Sequence, residues 1–432
     1  MAVRLTMKWE GPVALLWLAA GLFATGLFAT QATFAAERLI VPGEAVLQQA
    51  VSSALSNDVL LLQAGVYRGP LVIDRPLTLL GQAGTVITGG GSGSIITVSA
   101  PRVILRGLTL QDSGTDLASE DSAIFVDKEG NQVLIEDNRL EGNLIGVYLK
   151  GPKNAIVRHN TIIGRQDLRV NERGNGVHLW NTPGSIVEEN DIRYGRDGIF
   201  VTTSHRNIFR NNRFSDLRFA VHYMYTDDSE ISGNVSTRNH IGYAIMSSHR
   251  LEVRGNISDG DRDHGILLNY ANGSRIYGNQ VRGGTGKCVF IYNANKNRFQ
   301  MNRFEGCDIG IHFTAGSQRN EITENAFMGN RTQVKYVGTR QLEWSLEGRG
   351  NYWSDNSGFD LDGDGRADQP YRPNDLVDQV VWRHPMAKLL LNSPALKVLQ
   401  WAQSAFPAIY PGGVTDSAPL MNAPRIDLPA ED

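Results

Sequence analysis

The chain lacks an excess of either charge: 42 Lys and Arg stand against 45 Asp and Glu, a formal net charge of −3. Without a basic field, nucleic acid is excluded as the main partner. Cysteine is nearly absent. Cys288 and Cys307 fall in neighbouring repeats at unequal phase; they form a disulfide in an oxidising compartment or stay as two separately buried thiols. Long apolar runs are also missing after the start. Met386 to Phe406 carries Leu389, Leu390, Leu391, Leu396, Leu399 and Trp401, but it is too short, and too interrupted at Pro394, to span a bilayer. The apolar run Leu15 to Phe28 is preceded by Arg4 and Lys8 and followed by Thr33-Phe-Ala35. It reads as a signal peptide over residues 1–35, with a retained anchor as the alternative. The mature chain is expected to work outside the cytoplasm.

What is present is a repeat. Asn138, Asn160, Asn190, Asn212, Asn234, Asn256, Asn279, Asn302 and Asn325 recur at intervals of 22 residues, with one of 30 and three of 23. Each follows an apolar residue and two others. A second phrase alternates apolar and variable residues, as in Gly146-Val-Tyr-Leu-Lys150 and Ala220-Val-His-Tyr-Met224. That is the strand period. The 46 glycines suit a turn-rich β protein. The pattern predicts an all-β, right-handed parallel β-helix over 36–349, capped by a helix within Gly43 to Leu55. Polar insertions at 112–121 and 164–175 are expected to project from one side. Residues 350–432 read as a C-terminal cap with an irregular and helical extension. The repeated Asn is assigned an inward ladder of amide hydrogen bonds.

Strand alternation sends Val147, Leu149, Val177, Leu179, Ile199, Val201, Val221 and Tyr223 inward. The residues between them then form an outer face. One row reads Tyr148, His178, Phe200, His222, Ala244, Leu267, Phe290, His312. The next reads Lys150, Trp180, Thr202, Met224, Met246, Asn269, Tyr292. Such an aromatic stripe marks a partner surface, here Tyr148, Trp180, Phe200, Phe290, Tyr292 and His312. Imidazole with thioether suits copper. His222, Met224 and Met246 are the candidate ligands, with His178 and His264 beside them and His205 and His249 as secondary ligands. The rows carry no Asp or Glu, which argues against a polysaccharide-active enzyme. The alternative of a polyuronate lyase or C5-epimerase rests on Asp261, Asp263 and His264.

Asp360, Asp362, Asp364 and Asp368 follow calcium-loop spacing, with Gly365 at the sixth position. Tyr371 stands where a bidentate Glu is expected; Asp375 or Asp378 is the substitute. An Asx-turn without metal explains the same residues.

Several C-terminal runs then carry a resemblance: Gly350-Asn-Tyr-Trp-Ser-Asp355, Gly358-Phe-Asp-Leu-Asp-Gly-Asp364, Pro370-Tyr-Arg-Pro-Asn-Asp375 and Lys388-Leu-Leu-Leu-Asn-Ser-Pro394, with Ala220-Val-His-Tyr-Met-Tyr-Thr-Asp-Asp228 in the coil. The sequence resembles the NosD family of periplasmic maturation proteins of the nitrous oxide reductase system, copper-binding β-helices with CASH-domain-like repeats. The resemblance covers nearly the whole mature chain. It implies a periplasmic partner of an ABC transporter permease and its ATPase. It further implies copper received from a lipoprotein chaperone, delivery toward apo nitrous oxide reductase, and no independent turnover. In that setting the segment with Leu390, Leu396, Leu399, Trp401 and Phe406 is expected to dock on the permease.

Overall fold

The computed structural model describes residues 36–426, apart from 44–45, 285, 375, 391–392 and 407–411. The signal-peptide expectation for 1–35 and the role offered to Asp375 lie outside the described residues. Alternating apolar residues wind the chain into a right-handed parallel solenoid of about 14 turns. Among the described residues its walls are parallel sheets of 13, 12 and 13 strands. The first wall begins at Glu37–Ile40, the second at Leu71–Ile73 and the third at Gly65–Arg68. Helix α1 (Val46–Ser53) buries Leu47, Ala50 and Val51 over the open start of the stack.

The recurrent Asn phrase has a local cause. The residue before each Asn is left-handed, from φ 55° at Glu189 to φ 63° at Gly278, which swings the chain from the first wall to the third. The Asn side chain then points inward. Asn234 Nδ2 donates to Asn256 Oδ1 at 3.0 Å and to the Phe209 carbonyl at 2.9 Å. Its own Oδ1 accepts from Asn212 Nδ2 at 3.0 Å. Every polar atom in the ladder is matched by an equivalent one coil away, so burial carries no unpaired group. At the mouth of one second-wall strand only a small residue fits: a Cβ on Gly198 would lie 2.5 Å from the Ala220 carbonyl oxygen and 2.5 Å from Phe214.

The coil runs past the expected boundary at 349. Asn325 Nδ2 donates to Asn351 Oδ1 at 3.0 Å, and Tyr352–Trp353 adds a last strand to the third wall. Buried Asp416 closes the ladder, accepting from Asn351 N at 2.7 Å and Trp353 Nε1 at 2.8 Å. Trp353 is sandwiched between Phe327 (4.4 Å) and Tyr371 (4.7 Å). Of the two alternatives for the cysteines, the disulfide Cys288–Cys307 is the one formed.

Asp261 is not the surface base that its turn position suggested. It is 2% exposed and occupies an inward position one coil after Asn239. Its Oδ1 accepts from Asn239 N at 2.8 Å, and its Oδ2 accepts from the Ser236 and Ser258 hydroxyls at 2.6 Å each. Burial pushes its pKa up to about 6, against the lowering effect of those hydrogen bonds. The folded state therefore holds this proton more tightly than the unfolded chain does. The group's stabilising contribution is full below about pH 4 and is lost as pH rises through about 6. Asp261→Asn is expected to abolish that pH dependence and to raise stability at pH 7.5 by about 2–3 kcal/mol. Urea unfolding of both proteins between pH 4 and pH 7.5 checks it.

Candidate functional site

Eight strands of the second wall carry the predicted rows: β1 (Ile145–Lys150), β2 (Val177–Trp180), β3 (Asp197–His205), β4 (Phe219–Asp227), β5 (Ile241–Met246), β6 (His264–Asn269), β7 (Lys287–Tyr292) and β8 (Ile309–Thr314). Their register aligns Tyr148, His178, Phe200 and His222, and continues through Ala244, Leu267, Phe290 and His312. The neighbouring row holds Met224 directly beside Met246. Rings in the first row stack, with centroids 4.3 Å apart for Tyr148–His178 and 4.9 Å for His178–Phe200, Phe200–His222 and Phe290–His312. The first wall is a different surface. There Glu136 pairs with Arg106 and Arg158, and Glu188 with Arg210. Ion-paired ladders are what a solvated wall carries; the second wall is specialised.

His222 is the centre of this specialisation. It is 7% exposed, and its Nδ1 lies 3.0 Å from Asp197 Oδ2. Asp197 also accepts from Arg218 Nε at 2.8 Å and Nη2 at 2.6 Å. Burial alone would raise the Asp197 pKa, but the His222 and Arg218 hydrogen bonds outweigh it and hold the carboxyl below its usual value. A carboxylate at Nδ1 fixes the Nδ1–H tautomer and turns the Nε2 lone pair outward. His222 Nε2 is buried and has no hydrogen-bond partner. Sequence reasoning missed Asp197. The signal was available: the place before the small residue is filled by Phe219 and Ile241 on the next coils and by an acid only at Asp197.

The two insertions do not simply project. They fold back over the wall and enclose a cleft of about 360 Å³, lined by Glu120, Arg173, His178, Phe200, His222 and Met224 among others. Tyr148 is consequently no partner surface. Leu168 packs against its cluster, its hydroxyl donates to Glu120 at 3.1 Å, and it is buried. Trp180 and Tyr292 remain exposed, whereas Phe200, Phe290 and His312 are half-buried in their stacks.

The other expected ligands separate. The Phe200 ring stands between His178 and His222, so those imidazoles do not meet. Burial pushes the His178 pKa down to about 4, which leaves it neutral. Met246 adjoins Met224 in register but packs on the apolar patch of Ile241, Ala244 and Leu267. His264 sits in another row, two strands from His222, with Nδ1 at 2.6 Å from the Asp263 carbonyl oxygen. His205 and His249 lie off the cleft. With Asp261 inside the coil, the set Asp261, Asp263 and His264 does not share a face.

In the Asp-rich loop, Asp360, Asp362 and Asp368 each bring a carboxylate oxygen within 4.8 Å of the others. Asp364 instead pairs with Arg366 at 2.7 Å. Tyr371 is drawn away by Trp353 and by Asp355, to which its hydroxyl donates at 2.8 Å. Asp378 lies in α2 (Leu376–Arg383), a helix the sequence reading did not anticipate. A 3-10 turn (Pro385–Leu390) and α3 (Pro394–Ala405) follow, so Pro394 starts a helix rather than interrupting one. Met386 (74%), Leu389 (80%), Leu390, Val398, Trp401 and Phe406 (61%) are exposed there. Leu399 is half-buried, turned from that exposed set, and the side chain of Leu396 lies outside the described residues. No described helix is long and apolar enough to cross a membrane.

Comparison with known proteins places this geometry in context. Residues 161–358 match the family described as periplasmic copper-binding protein (NosD), and residues 83–192 match the right-handed β-helix region. A probable ABC transporter binding protein NosD of Stutzerimonas stutzeri is 41% identical over 86% of this chain and 88% of its own. Its counterpart from Pseudomonas aeruginosa is 44% identical over 85% and 89%. Among solved structures, the A-module of the mannuronan C-5 epimerase AlgE6 of Azotobacter vinelandii is 16% identical, with a TM-score of 0.53 over 72% of this chain and 93% of that one. The pneumococcal surface adhesin PfbA is 10% identical with a TM-score of 0.53 over 67% and 87%. These likenesses concern the fold alone.

Proposed function

The chain belongs to the NosD family, and from that premise we propose that it is a periplasmic scaffold of an ABC transporter that binds copper on its second wall and hands it on for assembly of the nitrous oxide reductase copper cluster. The family is described as periplasmic and copper-binding, and the relatives are named for an ABC transporter. The observation that carries the reading is the unpartnered Nε2 of His222, set by Asp197 and beside Met224 in one cleft. Imidazole nitrogen with thioether sulfur is a donor pair that selects copper over harder cations. A sparse ligand set leaves a cargo ion with open coordination positions toward the mouth of the cleft, so a partner offering more donors can take it. A lipoprotein chaperone is the proposed source, and apo nitrous oxide reductase the recipient. The exposed apolar segment Met386 to Phe406 is the proposed contact with the permease, whose ATPase lies on the far side of the membrane. The chain acts by binding and transfer, not by turnover. Cells in which His222→Ala replaces the native chain are expected to yield nitrous oxide reductase deficient in copper; a fully loaded enzyme contradicts the reading.

Calcium is proposed for Asp360, Asp362 and Asp368, whose role is to stiffen the C-terminal cap. Without a bidentate Glu the affinity is expected in the weak extracellular range, Kd about 10⁻⁴–10⁻³ M. Calcium is expected to raise the melting temperature of the native chain and to leave that of Asp360→Asn unchanged. Equal melting of the native chain with and without millimolar calcium contradicts it.

A further inference from the structure

The cleft beside His222 holds more positive charge than the described carboxylates balance. Glu120 is taken by Lys150 at 2.6 Å and by the Tyr148 hydroxyl. Asp197 is taken by Arg218 and His222. Two further guanidiniums, Arg173 and Arg196, line the same cleft. Neither lies within ion-pair distance of a carboxylate among the described residues; Asp167, in the same insertion as Arg173, pairs with Arg165 at 3.0 Å and feels the Arg173 charge only from farther off.

The two arginines are built in. Arg173 Nε donates to the Leu168 carbonyl at 2.9 Å and Nη1 to the Tyr194 carbonyl at 3.2 Å, which ties the 164–175 insertion to the coil and fixes the guanidinium plane. Three neutral carbonyls, including Gln166 O at 3.4 Å, satisfy hydrogen bonds without neutralising the charge. The Arg196 backbone is held by Gly174 O at 2.7 Å, while its Nε is buried with no partner. The Asn175 side-chain oxygen, also on the cleft, is a buried acceptor without a partner, which calls for a donor such as a water or a ligand N–H beside the anion rather than for the anion itself. Unpaired buried donors are costly, and each needs a ligand or water to complete it. Leu117, Ile145 and Phe200 supply an apolar rim that lowers the local dielectric and strengthens any ion bound there.

We propose that Arg173 and Arg196 form an anion-binding site for a small dicarboxylate, free or presented as two acid side chains on a partner's loop. Planar guanidiniums match carboxylates in a bidentate fork, and two unbalanced cations call for two negative charges. At about 360 Å³ the cleft admits on the order of ten non-hydrogen atoms. A short dicarboxylate, or two acid side chains, fits that space. The site shares its cleft with His222 and Met224 but uses neither side chain, so it can be tested on the metal-free chain.

The test is calorimetric titration of the metal-free mature chain at fixed ionic strength with malonate, with a blocked Glu-Glu dipeptide and with sulfate. Saturable one-to-one binding of malonate or of the dipeptide is expected, weakened about tenfold or more by Arg173→Gln and by Arg196→Lys. Arg196→Lys keeps the charge and loses the fork, so its effect does not depend on a global charge change. Arg254→Gln, on the first wall, is expected to bind as the native chain does. Binding of the dipeptide alone assigns the site to a partner's side chains, and binding of malonate alone to a free acid. Absence of saturable binding by both overturns the proposal. Tighter binding of sulfate than of either acid, or equal weakening by Arg254→Gln, overturns it too. Copper titration of the same preparations separates this result from the copper reading.

Discussion

Replacing His222 by Ala is expected to weaken Cu(I) binding by about 100-fold or more, the largest effect of any single change on the second wall. The expectation follows from what each neighbour is doing. Nε2 of His222 is the one imidazole nitrogen in the cleft that is both buried and oriented by a carboxylate. Met224 lines the same cleft, so Met224→Leu, which keeps volume and removes sulfur, is expected to rank second. Asp197→Asn preserves shape but weakens the hold on the Nδ1–H tautomer, and a loss of about 10- to 100-fold is expected. Met246→Leu and His178→Ala are expected to matter less, because Met246 packs on apolar neighbours and Phe200 separates His178 from His222. Competition titration against a Cu(I) chelator measures all five. Equal losses across the set would remove His222 from its central place.

Loss of membrane-complex formation is the second large effect, expected for the double variant Leu389→Asp, Phe406→Asp. Both side chains stand in solvent at 80% and 61% exposure, on a segment with no described span of the bilayer. Full burial of a large apolar side chain contributes about 1.5–3 kcal/mol, so removing two costs about 3 kcal/mol or more of association, a factor of about 100. Copper affinity and melting temperature are expected to stay near native, because neither residue belongs to the coil core. Co-purification with the permease in detergent reads the result. Undiminished co-purification contradicts the docking role.

The repeat made the fold legible. A 22- to 23-residue period fixes which side chain stacks on which, and the rows read from the sequence coincide with the observed register from Tyr148 to His312. The Asn ladder was legible for the same reason, because an amide can both donate and accept between identical rungs. What stayed hidden was whatever breaks the period. The burial of Tyr148 depends on insertions whose path no repeat encodes. Asp197 went unnoticed on the cleft, and Asp261, read as a turn residue, continues the inward ladder of Asn239, because neither position belongs to the phrases that repeat. Tyr371 sits at calcium-loop spacing but is claimed by the Trp353 stack, a contact between distant segments. The surroundings of α3, where Leu399 is half-buried, include α2, a helix absent from the sequence reading.

X-ray absorption at the copper edge, on the mature chain loaded with one equivalent of Cu(I), tests the assignment of the metal to this wall most directly. Imidazole and thioether scattering together are predicted, with the imidazole signal lost in His222→Ala and the sulfur shell lost in Met224→Leu. Spectra that are the same for the native chain and His222→Ala would contradict it.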